Sequence, residues 1–537
     1  MTGKFRYAEI IGPGAALFDY DNDGDLDAFL VQGTRLPSTG SGQTDEGLVF
    51  PPPAGPLLGR LYRNDLSAAG AASAALTFTD VTAESRIAAR GYGMGAATGD
   101  IDNDGCVDLF LANLGPNQLW RNNCDGTFTD ISTASGLGEP AEAPGAEPSW
   151  SVSAAFLDFD RDGWLDVFVG RYLSYAVETE TSCTGPSGRP DYCSPNAFRP
   201  IPSRLFRNTG RGTFVDVTAA AGMAREFGPA LGVTTADFNG DGWIDLYVSN
   251  DGHPNQLWIN QRSGRFQNTG LLSGTAMNPH GKAKAGMGVD AGDVDNDGDE
   301  DLIVTNLRGE GHDLYVNDGT GLFEAQSERS GLAASSQPFT GFGAAWLDVD
   351  NDGALDLLAV NGAVQTIEAE RQANDPFPLH QTKLLLRNAG GGRFEDATSR
   401  GGAALQLSDV SRGAAFGDVD NDGDTDVLVA NNSGKPRLLL NTVGQRAHWV
   451  GLRLVGPTGR DMLGARVAIT RGDGATLWRR ARADGSYASA NDPRVLAGLG
   501  AASTPVSVRV TWPAGKSEEF ANVPVDRYTT LKEGTGK

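Results

Sequence analysis

One nine-residue pattern, Asp-x-(Asp/Asn)-x-Asp-Gly-x-x-Asp, recurs seven times along the 537 residues and constrains the fold more than any other feature. Its first position is Asp19, Asp100, Asp158, Asp237, Asp293, Asp348 and Asp418. The third is Asp21, Asp102, Asp160, Asn239, Asp295, Asp350 and Asp420, and the fifth is Asp23, Asp104, Asp162, Asp241, Asp297, Asp352 and Asp422. The ninth is always Asp: Asp27, Asp108, Asp166, Asp245, Asp301, Asp356 and Asp426. The copies start at uneven intervals, as expected of one structural unit carrying insertions of different length.

The chemistry follows from what a hard cation needs, 6 to 8 oxygen ligands at roughly 2.3–2.6 Å from a pliable loop. Positions 1, 3, 5 and 9 offer side-chain oxygens. Position 6 is Gly in every copy, where the chain must turn without a Cβ. Position 7 varies (Asp25, Cys106, Trp164, Trp243, Asp299, Ala354, Asp424), which fits a residue lending only its backbone carbonyl. Calcium suits such a loop better than magnesium, which prefers a tight octahedron with retained waters. A single Asp-Asn-Asp-Gly is no more than a polar turn; seven at fixed spacing predict up to seven Ca²⁺ ions with a structural role.

Small residues precede each loop and β-branched or aromatic ones follow. Two further strand-like runs come after, as in LWRNN and GTFTDIS, LFRNTGRGTFVDVT and LLLRNAGGGRFEDAT. Four short strands per repeat and seven repeats predict an all-β fold, a seven-bladed β-propeller over residues 1–442. Its 72 glycines fit many tight turns. The seventh repeat lacks its Gly-x-Phe strand, and residues 4–9 (KFRYAE), which resemble RFEDAT, are expected to supply it and join the last blade to the first. After Leu440 the Asp loops stop and alternating runs at 449–455, 466–470 and 506–512 predict a small β-domain over residues 443–537.

The net charge of −24 argues against a nucleic-acid partner, since phosphate contacts need Lys and Arg. The C-terminal 95 residues carry 14 basic and 8 acidic side chains, which leaves −30 on the rest and favours docking of the two parts. No apolar run approaches the ~20 residues of a membrane span. Cys106 and Cys124 lie nine residues either side of Gly115 and are expected to face each other across a hairpin, while Cys183 and Cys193 share one long loop. Two local disulfides would suit a secreted or periplasmic protein.

The Asp loops resemble FG-GAP or VCBS-type repeats of the kind found in integrin α-chain propellers. AGMGVDAGDVDNDGDEDLIVTN, TGFGAAWLDVDNDGALDLLAVNG and RGAAFGDVDNDGDTDVLVANN, followed by HWVGLRLVG, RDMLGARVAI, GSYAS, LAGLG and VTWPAGKSEEF, resemble the cartilage acidic protein family with its C-terminal ASPIC/UnbV domain. The resemblance implies a secreted calcium-binding protein in animals and, in bacteria, a varied set that includes proteins encoded with enediyne pathways. Members often have a His after the sixth loop, where this chain has Ala363, and a His-Phe-Gly-Leu-Gly segment, where it has Ala497 before Gly498.

Strand connectivity places all seven Asp loops on one face and the long insertions (33–59, 132–149, 171–203, 268–285 and 361–382) mostly on the other. His253, His280, His312 and His380 map to that second face with Arg308, Glu310, Asp313, Glu368 and Arg371. This quadrant is the predicted ligand site, with general acid/base and anion-binding groups for a protein, glycan or small-molecule ligand. An accessory or catalytic role in natural-product biosynthesis is the alternative, on the same face.

Overall fold

In the computed structural model, which describes residues 4–34, 36, 57–66, 76–138, 149–375 and 377–537, the protein is all-β. Six antiparallel four-stranded sheets and a three-stranded seventh follow one another along the chain, each repeat forming its own sheet. Their first strands are Ala15–Phe18, Tyr92–Gly99, Ser151–Leu157, Ala230–Ala236, Val289–Gly292, Gly341–Leu347 and Ser411–Gly417. Each packs beside the first strand of the next sheet, and that of the seventh packs beside that of the first, so the order of contact is cyclic.

These inner strands are buried almost throughout, on both faces, which explains why they are written in Ala, Gly and Ser. A Cβ on Gly95 would lie 2.1 Å from the Val152 carbonyl of the neighbouring sheet, and one on Gly288 would lie 2.0 Å from the Phe342 carbonyl. Large side chains stand further out, in clusters between adjacent sheets such as Phe159, Phe168, Trp258 and Phe266.

The segment 4–9 does not supply a fourth strand. Tyr7–Ile10 forms a 3-10 turn and the seventh sheet ends at its third strand, Arg437–Leu439. The physical reason is burial: Tyr7 stacks on Tyr172 and Phe198 and meets Trp150 edge-on, so its ring enters an apolar cluster that an edge strand would leave exposed. Arg412, fully buried, then ties the segment down by donating to the Ile10 carbonyl at 2.5 Å while its guanidinium lies over the Phe342 ring.

The C-terminal strands form two sheets, one of Val495–Gly500, His448–Val455 and Tyr528–Lys532, the other of Thr476–Arg480, Arg466–Thr470, Val506–Thr511 and Ser517–Val523. They share a core of Val450, Leu452, Val467, Ile469, Val508 and Trp512. Between these sheets' strands, residues 482–492 run into the middle of the ring. Ala490 exchanges backbone bonds with Ala15 and Leu17, Ala96 donates to Ala488, and Ala488 donates to Ser153 Oγ. Gly485 donates to Val233 and Val289 to Ser486. Tyr487 packs edge-on against Phe342, and Ser486 Oγ donates to Ala414. One loop thus touches all seven sheets. Its fit is tight, since a Cβ on Gly14 would lie 1.7 Å from the Ala488 carbonyl.

Both cysteine pairs are disulfides, Cys106–Cys124 and Cys183–Cys193. The hairpin register pairs Leu109 with Trp120, one residue off the symmetric alignment about Gly115, and Cys124 reaches Cys106 from a left-handed turn at φ 58°.

Candidate metal centres

Every Asp loop lies between the first and second strands of its sheet and closes on itself through its own carboxylates. In all seven the position-6 Gly amide donates to Oδ2 of position 1, at 2.8 Å for Gly105 and Asp100 and 3.1 Å for Gly24 and Asp19. The position-7 amide donates to Oδ1 of position 5, from Asp25, Cys106, Trp164, Trp243, Asp299, Ala354 and Asp424 at 2.9–3.0 Å. The Cys106 side chain is committed to its disulfide.

The ninth-position Asp joins the loop to the sheet. Its Oδ2 accepts from the amide of position 2 and its Oδ1 from the amide of an Asn ending the third strand, as in Tyr20 and Asn64 to Asp27, or Phe159 and Asn208 to Asp166. That Asn also reaches the preceding repeat. Asn122 Nδ2 donates to the Tyr20 carbonyl, Asn208 to Ile101, Asn260 to Phe159, Asn317 to Phe238, Asn388 to Val294 and Asn441 to Val349, all at 2.7–3.0 Å. Asn64 donates to Val419 of the last loop at 2.7 Å, so the seven bonds run the whole circle. A second set links position 4 to the next loop's Gly carbonyl, as in Asn103 to Gly163 and Asn351 to Gly423.

The loops leave oxygens over. Oδ1 of Asp21, Asp102, Asp158, Asp350 and Asp420 is buried without a hydrogen-bond partner, and so is Oδ2 of Asp424. Carboxylate oxygens converge within 4.8 Å in the sets Asp19, Asp21 and Asp27, Asp100, Asp102 and Asp108, Asp158, Asp160 and Asp166, and Asp293, Asp295 and Asp297. Burial, with repulsion from neighbouring carboxylates, pushes the acids up: Asp27 to about 8, Asp166 and Asp301 to about 9, Asp356 to about 7 and Asp426 to about 8. Burial likewise raises Asp19, Asp100 and Asp158 to about 6 and Asp293 and Asp418 to about 7, and it raises Asp108, Asp237 and Asp245. Oxygen-only donors in a strained anionic cluster with uncommitted lone pairs suit a hard divalent cation. A further grouping, Asp104 with Cys106 and Cys124, is not a site of this kind because the two sulfurs are bonded to each other.

On the opposite face the structure gathers some of the predicted residues and separates others. His312 is fully buried, held neutral by burial with its pKa lowered to about 3, and its Nδ1 accepts from the Asn306 amide. Beside it Asp313 pairs with Lys284 at 2.6 Å and Glu310 accepts from the Ala285 amide. Glu368 and Arg371 pair with each other within one short helix. His380 lies 3.6 Å from Asp375, His280 is exposed 4.0 Å from Glu328, and His253 and Arg308 reach the surface. Under this face Tyr7 and Tyr172 share a 2.5 Å hydroxyl contact, and Tyr172 lies 2.5 Å from the buried Asp251. Burial raises Asp251 to about 6. Insertions 33–59 and 132–149 lie largely outside the described residues. Insertion 171–203 is bonded to insertion 361–382 through Asp191 and the Thr366 amide and hydroxyl.

Residues 456–537 match the ASPIC and UnbV family, and residues 100–169, 187–248, 237–304 and 293–359 match the FG-GAP-like repeat family. Cartilage acidic protein 1 of Mus musculus is 26% identical over 447 residues, 80% of this chain and 62% of that protein. The chain thus combines FG-GAP-like repeats with an ASPIC/UnbV domain and is similar to cartilage acidic protein 1 over most of its length. The matched FG-GAP-like repeats contain the five Asp loops that begin at Asp100, Asp158, Asp237, Asp293 and Asp348, and the ASPIC/UnbV domain supplies the loop in the ring. The Homo sapiens protein of that name is 26% identical over 46% of this chain and 33% of its own length, and the Xenopus tropicalis one 30% over 40% and 34%. The matches thus span less than two thirds of these relatives. Among solved structures, an Agrocybe aegerita lectin recognising terminal N-acetylglucosamine aligns with TM-score 0.39 and 16% identity over 72% of this chain and 90% of its own. A Bacillus licheniformis rhamnogalacturonan lyase aligns with TM-score 0.31 and 13% identity over 97% and 90%.

The sequence patterns did not single out the third-strand Asn, and they marked the 482–492 loop only through GSYAS, as part of the family resemblance. The Asn had a visible signal, since it ends the runs LYRN, LWRN, LFRN, LWIN, LYVN, LLRN and LLLN. Nothing in GSYAS pointed to a place in the ring.

Proposed function

We propose that this protein is a secreted calcium-binding scaffold, one Ca²⁺ per Asp loop, that presents its insertion-bearing face to a ligand. The observation that carries the reading is the set of buried carboxylate oxygens left unbonded in loops one, two, three, six and seven. In each loop the side chains at positions 1, 3, 5 and 9 and the carbonyl at position 7 would hold the ion. Bound calcium supplies charge neutralisation, not reaction chemistry. Position 9 then couples the ion to the strand ends, and the third-strand Asn couples each repeat to the one before. Two disulfides support an oxidising compartment, where calcium saturates even weak sites of ~10⁻⁴–10⁻³ M. No helix among the described residues is long and apolar enough to cross a membrane.

For the ligand face, support comes from the insertions 171–203 and 361–382, joined through Asp191 and Thr366, and from His253, His280 and Arg308, which reach the surface. His312 serves there as a buried positioning group. The test is a calcium titration of chelator-treated protein by calorimetry, repeated with magnesium. Multiple sites for calcium and weaker binding of magnesium are expected; no binding of calcium at millimolar concentration would refute the reading.

A further inference from the structure

The ASPIC/UnbV domain does not simply lie against the ring; it reaches the metal loops themselves. Tyr528 Oη donates to Asp418 Oδ2 at 2.9 Å, and the Gly498 amide donates to Asp348 Oδ2 at 3.2 Å. These are the first-position carboxylates of loops seven and six. In each loop the same oxygen already accepts from the loop's own Gly amide, at 2.8 Å from Gly423 and Gly353. With two donors on Oδ2, the carboxylate is fixed in rotation, as an orienting contact fixes a ligand. The surroundings agree. Asp418 is 1% exposed and Asp424, in the same loop, 0%, with Asp424 Oδ2 unbonded. The Gly500 amide donates to the Asn351 carbonyl, and Arg479 and Arg494 donate to the carbonyls of Gly353 and Asp418. At loop one the domain offers a cation instead: Arg453 lies 3.8 Å from Asp19 Oδ2.

We propose that the C-terminal domain completes the calcium sites of loops six and seven, so that metal binding there and docking of the domain are one linked equilibrium, while the loops whose first carboxylate takes no hydrogen bond from the domain bind calcium independently of it. The proposal rests on the calcium reading above. Tyr528 is a positioning residue in it: its hydroxyl orients Asp418 and does not itself meet the ion. Linkage requires reciprocity, so calcium at these two loops tightens the domain's hold and the docked domain raises their affinity by the same factor.

The experiment uses the full chain. Calcium binding to wild type and Tyr528→Phe is followed by equilibrium dialysis and calorimetry. Amide exchange across Val495–Gly500 is measured by mass spectrometry with calcium and with chelator. In wild type, calcium is expected to slow exchange across Val495–Gly500, the segment that bonds loop six, even though the calcium ligands lie in the ring. In Tyr528→Phe one site is expected to weaken by about tenfold, the size of one hydrogen bond to a charged group, with the remaining sites unchanged. A purely structural hydroxyl would lower the melting temperature equally with and without calcium and leave the isotherm alone; superposable isotherms would therefore overturn the proposal. So would wild-type exchange that ignores calcium, a readout independent of whether the variant folds well. If wild type takes up no calcium at all, the calcium reading fails first; if it takes up calcium and these two results are negative, only the linkage fails.

Discussion

The two faces of the ring are built from the same sheets yet hold themselves together differently. On the Asp-loop face each repeat makes the same bonds: position 6 to position 1, position 7 to position 5, and the third-strand Asn to position 9 and to the repeat before. On the insertion face no one bonding pattern runs through all the described repeats, and a shared turn such as Asn113 to Asn117 and Asn250 to Asn255 recurs in only some of them. Tyr7, Trp150, Tyr172, Tyr175 and Phe377, drawn from distant parts of the chain, pack into one cluster that closes the ring's other end. The first face is a repeated electrostatic device, and the second a single piece of apolar packing. The first should answer to ions, the second to burial.

That contrast can be broken most severely at the axis, where both faces depend on one loop. Replacing residues 484–490 by a Gly-Ser linker of equal length removes bonds to six sheets and the Tyr487 ring from the seventh, and cooperative thermal melting is expected to disappear by calorimetry. Chelation comes next and should strike only the Asp-loop face. At a hundredfold excess over Kd each site contributes about 2.7 kcal/mol, so EDTA should lower the melting temperature by well over 10 °C and calcium should restore it.

The insertion face should instead show a pH dependence that calcium does not alter. Asp251 is buried with its pKa raised to about 6, above its unfolded value, so the fold favours its protonated form. Its stabilising effect is complete below about pH 4 and is lost as pH rises through about 6. Asp251→Asn should flatten the denaturant-unfolding profile over that window by roughly 2 kcal/mol. A smaller effect is expected at one inter-repeat bond: Asn208→Ala leaves the Ile101 and Leu165 carbonyls and the Gly210 amide without their side-chain partner and should cost about 1–3 kcal/mol. The smallest stability change belongs to His253→Ala and His280→Ala, within about 0.5 kcal/mol. If either instead lowers stability by several times that amount, the surface residues of the ligand face carry packing as well.

Much of the Asp-loop face was legible because its chemistry is local. Nine residues specify a loop, and seven copies make the repeat unmistakable even at uneven spacing. The all-β class and the disulfides followed from similarly short-range signals. What escaped was long-range. The run KFRYAE looks like a strand in isolation, but Tyr7 is claimed by an aromatic cluster whose members come from residues 150, 172 and 198. His312 looks like a surface acid/base group and is instead sealed against Gly341, where a Cβ would lie 2.5 Å from its ring. The axial loop showed GSYAS as a motif but not its position, because small residues are chosen there for the space they leave, not for the contacts they advertise.

The placement of that loop has a consequence for how the molecule is made. Ala15, near the beginning of the chain, completes its hydrogen bonding only with Ala490, near its end. A ribosome releases the seven sheets in order, but their common axis is translated last, so an emerging chain carries its inner strands without their final partner until almost all of it has been synthesised. Premature termination anywhere before residue 490 therefore yields a nascent product with a hollow centre, exposed to proteases and chaperones rather than released as a shorter working version.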